Sequence, residues 1–341
     1  MKAIALKPHS PITQASALAD VTLPKWPEPT GFDMLVRVQA VSVNPVDTKV
    51  RSSGNEDNVA SKILGWDAAG VVECIGQDVT QFKVGDMVYY AGDITRPGSN
   101  AEYQLVDARI TGPKPQNLTP AEAAAFPLVS LTAWEALFER LGIDPNGQHT
   151  GSSIFIIGGA GGVGSIAIQL AKLAGLTVVT TASRTETTDW VRKLGADVVI
   201  NHRESIMAQL KGHGFSDVDY IANFNNTDAY WTTMAEAIKP QGKIVSIVKN
   251  EHPLDLNLLK SKSATFAWEF MFTRSMFKTA DQDKQGMILR KISELIESGK
   301  LHPINKNEYK PICAQHLREA HDLLESGKAI GKTVLVGWPE K

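Results

Sequence analysis

The spacing of apolar positions changes character along the chain. Up to about Pro115 they come in short runs, MLVRVQAV at 34–41, GVVECIG at 70–76 and MVYY at 87–90, separated by Gly, Pro and Asp. Alternating or briefly continuous apolar runs between turn residues predict strands, a compact barrel-like β domain and no long helix. At Thr119-Pro-Ala-Glu122 the pattern shifts. Thr caps, Pro suits the first helical position and Glu stands at the capping-box spacing, so a helix starts there. A second helix is predicted over 130–141, where Leu131, Trp134, Leu137, Phe138 and Leu141 share a face until Gly142.

From Ser153 onward, apolar strands alternate with helices: IFII at 154–157, a helix from Gly162, VVTT at 178–181, a helix to Leu194, then VVI at 198–200, VDYIA at 218–222 and IVSIV at 244–248. This alternation predicts a doubly wound parallel sheet with right-handed crossovers. An aromatic and Met-rich stretch follows Phe266, then helices near 284–297 and 315–325 and a closing strand at 332–336.

Composition narrows the field. The 341 residues carry 35 Lys plus Arg against 37 Asp plus Glu, a net charge of −2, so no positive field attracts nucleic acid or anionic lipid. No apolar stretch approaches the ~18 residues of a membrane span. Cys74 and Cys313, the two cysteines, are expected as free thiols in a reducing cytoplasm.

The most informative segment is IFIIGGAGGVGSIAIQLAK at 154–172. Gly159, Gly161 and Gly164 satisfy G-x-G-x-x-G between a strand and an amphipathic helix, the arrangement in which backbone N–H groups and a helix N-terminus receive a pyrophosphate. Gly159, Ala160, Gly161, Gly162, Val163 and Gly164 are therefore candidate dinucleotide-binding residues. The next strand ends in TTASR at 180–184, with no acidic residue before Glu186. Sites that hold a ribose 2′-hydroxyl place Asp or Glu there; Ser183 and Arg184 suit a 2′-phosphate instead, which favours NADP(H).

Over essentially its whole length the chain resembles the medium-chain dehydrogenase/reductase superfamily, and within it the zinc-free quinone oxidoreductase branch, including proteins labelled zinc-type alcohol dehydrogenase-like. The carriers are VNPVD at 43–47, GWDAAGVV at 65–72, VGDMV at 84–88, SLTAW at 130–134, the glycine loop, LGADVVIN at 194–201 and GKTVL at 331–335. The resemblance implies an α/β fold. A GroES-like β-barrel domain, residues 1–125 with 270–341, would receive a Rossmann nucleotide domain, 126–269, as an insertion.

In zinc-dependent relatives a Cys opens the motif that here begins with Asn44, and a His follows the Gly of the GWD motif, where this chain has Trp66. Catalytic zinc needs about three N, S or O protein ligands, so no metal is expected. The resemblance further places Asn44, Asp47 and Thr132 near the nicotinamide as candidate catalytic residues, and His202, Phe224, Asn225, Val248 and Lys332 with the cofactor. Lys49, Arg51, Trp66 and Trp268 are candidates for the acceptor pocket. Asn-Pro with Asp shortly after is also ordinary turn chemistry. The expected activity is hydride transfer from NADPH to a quinone or similar conjugated carbonyl, by a cytoplasmic homodimer with no nucleic-acid or membrane partner. An alkenal or enone double-bond reductase and a low-turnover NADPH-binding redox sensor are the alternatives.

Overall fold

The computed structural model describes residues 1–6, 11–53, 63–147 and 149–340. The chain divides into two units, Met1–Leu131 with Phe272–Lys341, and Thr132–Met271.

The first unit is built on the ten-residue strand Asp33–Ser42, which pairs antiparallel with Ala68–Ile75, Tyr103–Asp107 and Lys332–Val336. The sheet extends through Met87–Tyr90 to Thr111–Pro113 on one side and to Asn305–Tyr309 on the other. Along Asp33–Ser42, Met34, Val36, Val38 and Ala40 are buried at alternate positions, the period a half-buried strand requires. The C-terminal strand thus lies beside one near the N-terminus, and a residue at 332 comes to neighbour one at 44.

One element departs from the strand-only expectation for this region. Pro45–Ser53 is a helix, formed on the motif that also reads as a turn. Pro45 occupies the first helical position, where its missing N–H costs nothing, and Asp47 lies in the first turn, where a carboxylate complements the helix dipole. At Thr119 the predicted capping box forms in full, with Pro120 at the helix start. The segment predicted as 130–141 begins earlier, as Pro127–Trp134, and continues as a π-helical turn, Glu135–Arg140.

The second unit is a six-stranded parallel sheet. In space its strands run Val198–Ile200, Thr177–Thr181, Ser153–Ile157, Val218–Asn223, Ile238–Ser246, Thr265–Trp268. The order reverses beside the first strand, the Rossmann arrangement, and the crevice at that switch point is where such sheets bind ligands. All five residues of Ser153–Ile157 are buried, as a central strand covered on both faces demands. Phe155, Ile157, Val179, Ile221, Ile244, Trp231 and Met234 fill one core against it.

Candidate functional site: a glycine loop and a buried charge network

The glycine loop joins strand Ser153–Ile157 to helix Gly162–Leu173. Its glycines have different physical reasons. Gly158 takes φ +89°, open to glycine at no cost, and its N–H donates to Thr181 Oγ1 at 3.0 Å. A Cβ on Gly159 would lie 2.0 Å from Thr180 Oγ1, and one on Gly164 2.3 Å from the Gly158 carbonyl oxygen, so close packing demands both. Gly161 is otherwise: its nearest neighbour would be the Gly158 oxygen at 3.5 Å, an ordinary contact. The protein's own packing leaves that position free for a side chain, and the exposed N-cap of the helix stands there without a side-chain hydrogen bond. A pyrophosphate fits this cradle, because it needs the space a Cβ would fill and finds unpaired N–H groups and the positive helix end.

Ser183 and Arg184 follow strand Thr177–Thr181, both half-buried, with Arg184 at the cap of helix Thr185–Lys193. His202 is exposed just past Val198–Ile200, and partial desolvation together with the Arg203 charge lowers its pKa. At the C-terminal ends of the central strands, Asn223 Nδ2 donates to Ser246 Oγ at 3.1 Å. The Thr227 hydroxyl meets Ser246 Oγ at 2.6 Å and also donates to the Val248 carbonyl. This buried amide and hydroxyl group ties together the loops that carry Phe224 and Val248, both half-buried, and Asn225, which is exposed. Thr227 lies in the segment 224–227 that the sequence placed at this strand end, whereas Ser246 was not singled out; a small polar residue at the end of an apolar strand was the available sign. Thr132 is buried within helix Pro127–Trp134, and Trp268 is exposed at the end of the edge strand.

In the first unit, Asn44, Asp47, Asp67 and Lys332 are each at most 4% exposed and form one network. Lys332 Nζ donates to the Val43 carbonyl at 2.8 Å, Asn44 Oδ1 at 2.5 Å and Asp67 Oδ2 at 2.9 Å. Asn44 Nδ2 donates to Asp67 Oδ2 at 2.7 Å, and the Leu128 N–H reaches Asp67 Oδ1 at 2.8 Å. Asp47 Oδ2 accepts the Asn44 backbone N–H at 2.7 Å. Burial raises the pKa of Asp47 to about 7 against the opposing pull of that N–H and of Lys332. Burial likewise raises Asp67, while the Lys332 charge and the Asn44 amide draw it down.

Three expected assignments change here. Lys332 was expected at the cofactor, but its three N–H bonds are spent on oxygens of its own unit. Arg51 was expected in an acceptor pocket; it is 3% exposed and pairs with Glu325 of helix Ala314–Glu325. Trp66, likewise expected in that pocket, is 1% exposed, with its ring edge-on to Phe272 at 6.1 Å. The physical reason is shared: each side chain fills its own unit's interior. Lys49, the fourth of these candidates, is exposed on helix Pro45–Ser53. Asp67 was missed, although it adjoins Trp66 in the quoted GWD motif.

The same network bears on zinc. The positions that carry thiolate and imidazole in zinc-dependent relatives offer an amide and a buried indole, and the amide oxygen and adjacent carboxylate already surround an ammonium. That donor set does not fit zinc. Among the described residues, no three His, Cys, Asp or Glu side chains gather into a metal site, and Cys74 and Cys313 are free. Among them, too, no helix is long and apolar enough to cross a membrane.

Comparison with known proteins places these features in context. The alcohol dehydrogenase GroES-like domain model matches residues 30–116, and the zinc-binding dehydrogenase model matches 162–284. A zinc-type alcohol dehydrogenase-like protein of Staphylococcus aureus is 48% identical over 91% of this chain and 92% of its own length. A crystal structure from Rhizobium etli, described as a zinc-dependent alcohol dehydrogenase, superposes with TM-score 0.94 at 47% identity, covering 100% of this chain and 99% of that one. The NADPH complex of Escherichia coli quinone oxidoreductase superposes with TM-score 0.83 at 25% identity, covering 98% and 100%.

Proposed function

Because the chain belongs to the zinc-type alcohol dehydrogenase-like proteins of the medium-chain dehydrogenase/reductase superfamily, and is an oxidoreductase of that superfamily, we propose that it is a zinc-independent NADPH-dependent reductase of quinones or similar conjugated carbonyls. The observation that carries the nucleotide half of this reading is Gly161. It is the motif glycine whose missing Cβ the protein does not itself use, so its smallness is left for a ligand. Gly159 to Gly164 hold the pyrophosphate through backbone N–H groups, and the half-buried Ser183 and Arg184 receive the 2′-phosphate. His202, whose pKa desolvation and the Arg203 charge lower, joins them as a hydrogen-bonding partner of the cofactor.

The nicotinamide, when bound, supplies hydride. Reduction of a quinone or an activated alkene places the developing charge on an oxygen, which hydrogen-bond donors stabilise without a Lewis acid. Asn44 is the donor proposed for that oxygen: an amide has two N–H bonds, and the network takes one for Asp67. Solvent completes the reaction by protonating the reduced acceptor.

The test is NADPH oxidation followed against a panel of quinones, 2-alkenals and simple aldehydes, with and without a strong chelator. Turnover of quinones unaffected by chelator is the expected result. Preferred reduction of 2-alkenals at the C=C bond redirects the assignment to a double-bond reductase, and loss of activity to chelator overturns metal independence. Tight NADPH binding with no turnover on any acceptor supports a sensor instead.

A further inference from the structure

In the reading above, two helices of the second unit receive the phosphates of the cofactor. Helix Gly162–Leu173 offers its N-terminus to the pyrophosphate, and helix Thr185–Lys193 carries Arg184 at its cap for the 2′-phosphate. The paired strands Ser153–Ile157 and Thr177–Thr181 lead into them. Pairing fixes the strands against each other, but the helices are set against each other by their side chains.

A direct hydrogen bond joins the two helices. Trp190 Nε1 donates to Ser165 Oγ at 2.9 Å. Ser165 is fully buried, one residue past Gly164, and its backbone N–H donates to the Gly161 carbonyl at 2.8 Å, so its hydroxyl is anchored to the glycine loop. Side chains on a helix lean toward its N-terminus, which carries the Trp190 indole from the second turn of its helix toward the phosphate end. One turn earlier on the same face stands Thr187, 5% exposed. Its hydroxyl donates to the Arg184 carbonyl at 2.8 Å and accepts the Arg184 N–H at 3.1 Å. The backbone of Arg184 is thus held to the helix that Trp190 holds to the loop. At the far end of helix Gly162–Leu173, Lys172 Nζ makes a separate tie to the Asp197 carboxylate, at 2.8 and 2.9 Å.

We propose that Trp190 is a positioning residue for the 2′-phosphate. Through Ser165 it fixes the span between the glycine loop and Arg184, and so selects a nucleotide with phosphates on both the 5′ and 2′ oxygens of one ribose. The ribose holds those phosphates at a set separation, and charge-assisted hydrogen bonds fall off steeply with distance and angle, so a helix released at its phosphate end grips only one of them well. Trp190 acts through its helix and Arg184. This role deepens the NADPH reading given above and rests on it.

The test uses two probes, adenosine 2′,5′-bisphosphate and adenosine 5′-monophosphate. Each is titrated calorimetrically into the full-length wild type and its Trp190→Phe, Ser165→Ala and double variants. Trp190→Phe keeps an aromatic ring and removes the N–H. It is expected to raise the Kd for the bisphosphate about fivefold, the scale of one hydrogen bond between neutral groups, and that for the monophosphate less than about twofold. Ser165→Ala removes the acceptor and should do the same, and the double variant should be no worse than either single one.

An unchanged bisphosphate Kd overturns the proposal even if the melting temperature falls, because the bond then serves the fold alone. Equal rises for both probes overturn it as well, since the loss then belongs to the glycine loop. So does strict additivity in the double variant, which would mean that the two side chains do not act through their bond. Should Trp190→Phe not fold, Ser165→Ala decides by the same comparison of probes. Failure of the NADPH reading is seen in the wild type itself: equal affinity for the two probes removes the 2′-phosphate site and the role of Trp190 with it.

Discussion

The glycine loop and the Lys332 network are both specific and polar, yet they are made in opposite ways. The loop is one contiguous stretch whose working atoms are backbone N–H groups, and side chains enter mainly by being absent. The network draws on residues 43–47, 67, 128 and 332, and its working atoms are charged or amide side chains. A site of the first kind is damaged by adding atoms, one of the second kind by removing them.

The sharpest way to break this contrast lies in the network. Asp67→Ala leaves the Lys332 ammonium buried beside an empty space, and urea unfolding of the variant should show a loss of about 3–5 kcal/mol. A loss below about 1 kcal/mol would mean that water reaches the ammonium freely.

Next comes the loop. Gly164→Ala places a methyl group against immobile backbone at 2.3 Å, so a loss of about 1–3 kcal/mol in stability is expected, together with weaker NADPH binding. Gly161→Ala meets nothing closer than 3.5 Å and should melt like the wild type while its NADPH Kd rises about tenfold. Equal behaviour of the two variants would remove the distinction between packing glycines and ligand glycines.

Acid should affect the unit that contains the network through two opposed groups. His321 is fully buried on helix Ala314–Glu325, where desolvation and the nearby Arg51 charge lower its pKa to about 3. The unfolded chain takes up that proton near pH 6.5, so the stability due to His321 is complete above 6.5. It falls by about 1.4 kcal/mol per pH unit below that, down to about pH 3. Asp47, raised to about 7, works the other way. Its contribution is complete below the unfolded value near 3.8 and is lost as pH rises toward 7. Stability profiles from pH 7.5 to 5.5 should therefore be flatter against acid in wild type than in Asp47→Asn, and His321→Asn should gain relative stability at the acid end. Parallel profiles for all three proteins would refute the assignment of both groups.

Equal in size to the Gly161 effect, but confined to one of two cofactors, is the change expected in cofactor discrimination. Arg184→Ala should weaken NADPH about tenfold and leave NADH nearly unchanged, as the loss of one charge-assisted contact to a 2′-phosphate requires. Equal weakening of both cofactors in binding titrations would show that Arg184 serves only the cap of its helix.

Much of the second unit was legible in the chain itself. Strand and helix alternation, the glycine spacing and the missing carboxylate after the second strand are local signals, each carried by residues within a few turns of one another. The first unit was legible as strands but not as a site. Asn44 and Asp47 stood out in a recognisable motif, yet the helix that begins at Pro45 did not, because its apolar positions are too few to show a helical period. Lys332 was noticed for its motif and expected elsewhere; Asp67 was passed over beside Trp66. A lysine in a strand reads as a solvated side chain until the fold covers it.

Taken alone, the order of the residues determined most of the strands and helices, the Pro45–Ser53 helix excepted, where the glycine loop falls, and that no thiolate or imidazole stands at the two positions where zinc-dependent relatives carry them. Those properties follow from backbone sterics, hydrophobic period and residue identity, all of which act over short stretches of chain. Only the tertiary structure decided what stands among the remaining donors. Lys332 and Asn44 lie 288 residues apart, and Lys332 and Asp67 265, so no local pattern links them. Strand Lys332–Val336 brings them together by pairing with Asp33–Ser42, and burial then makes a complete set of hydrogen bonds obligatory.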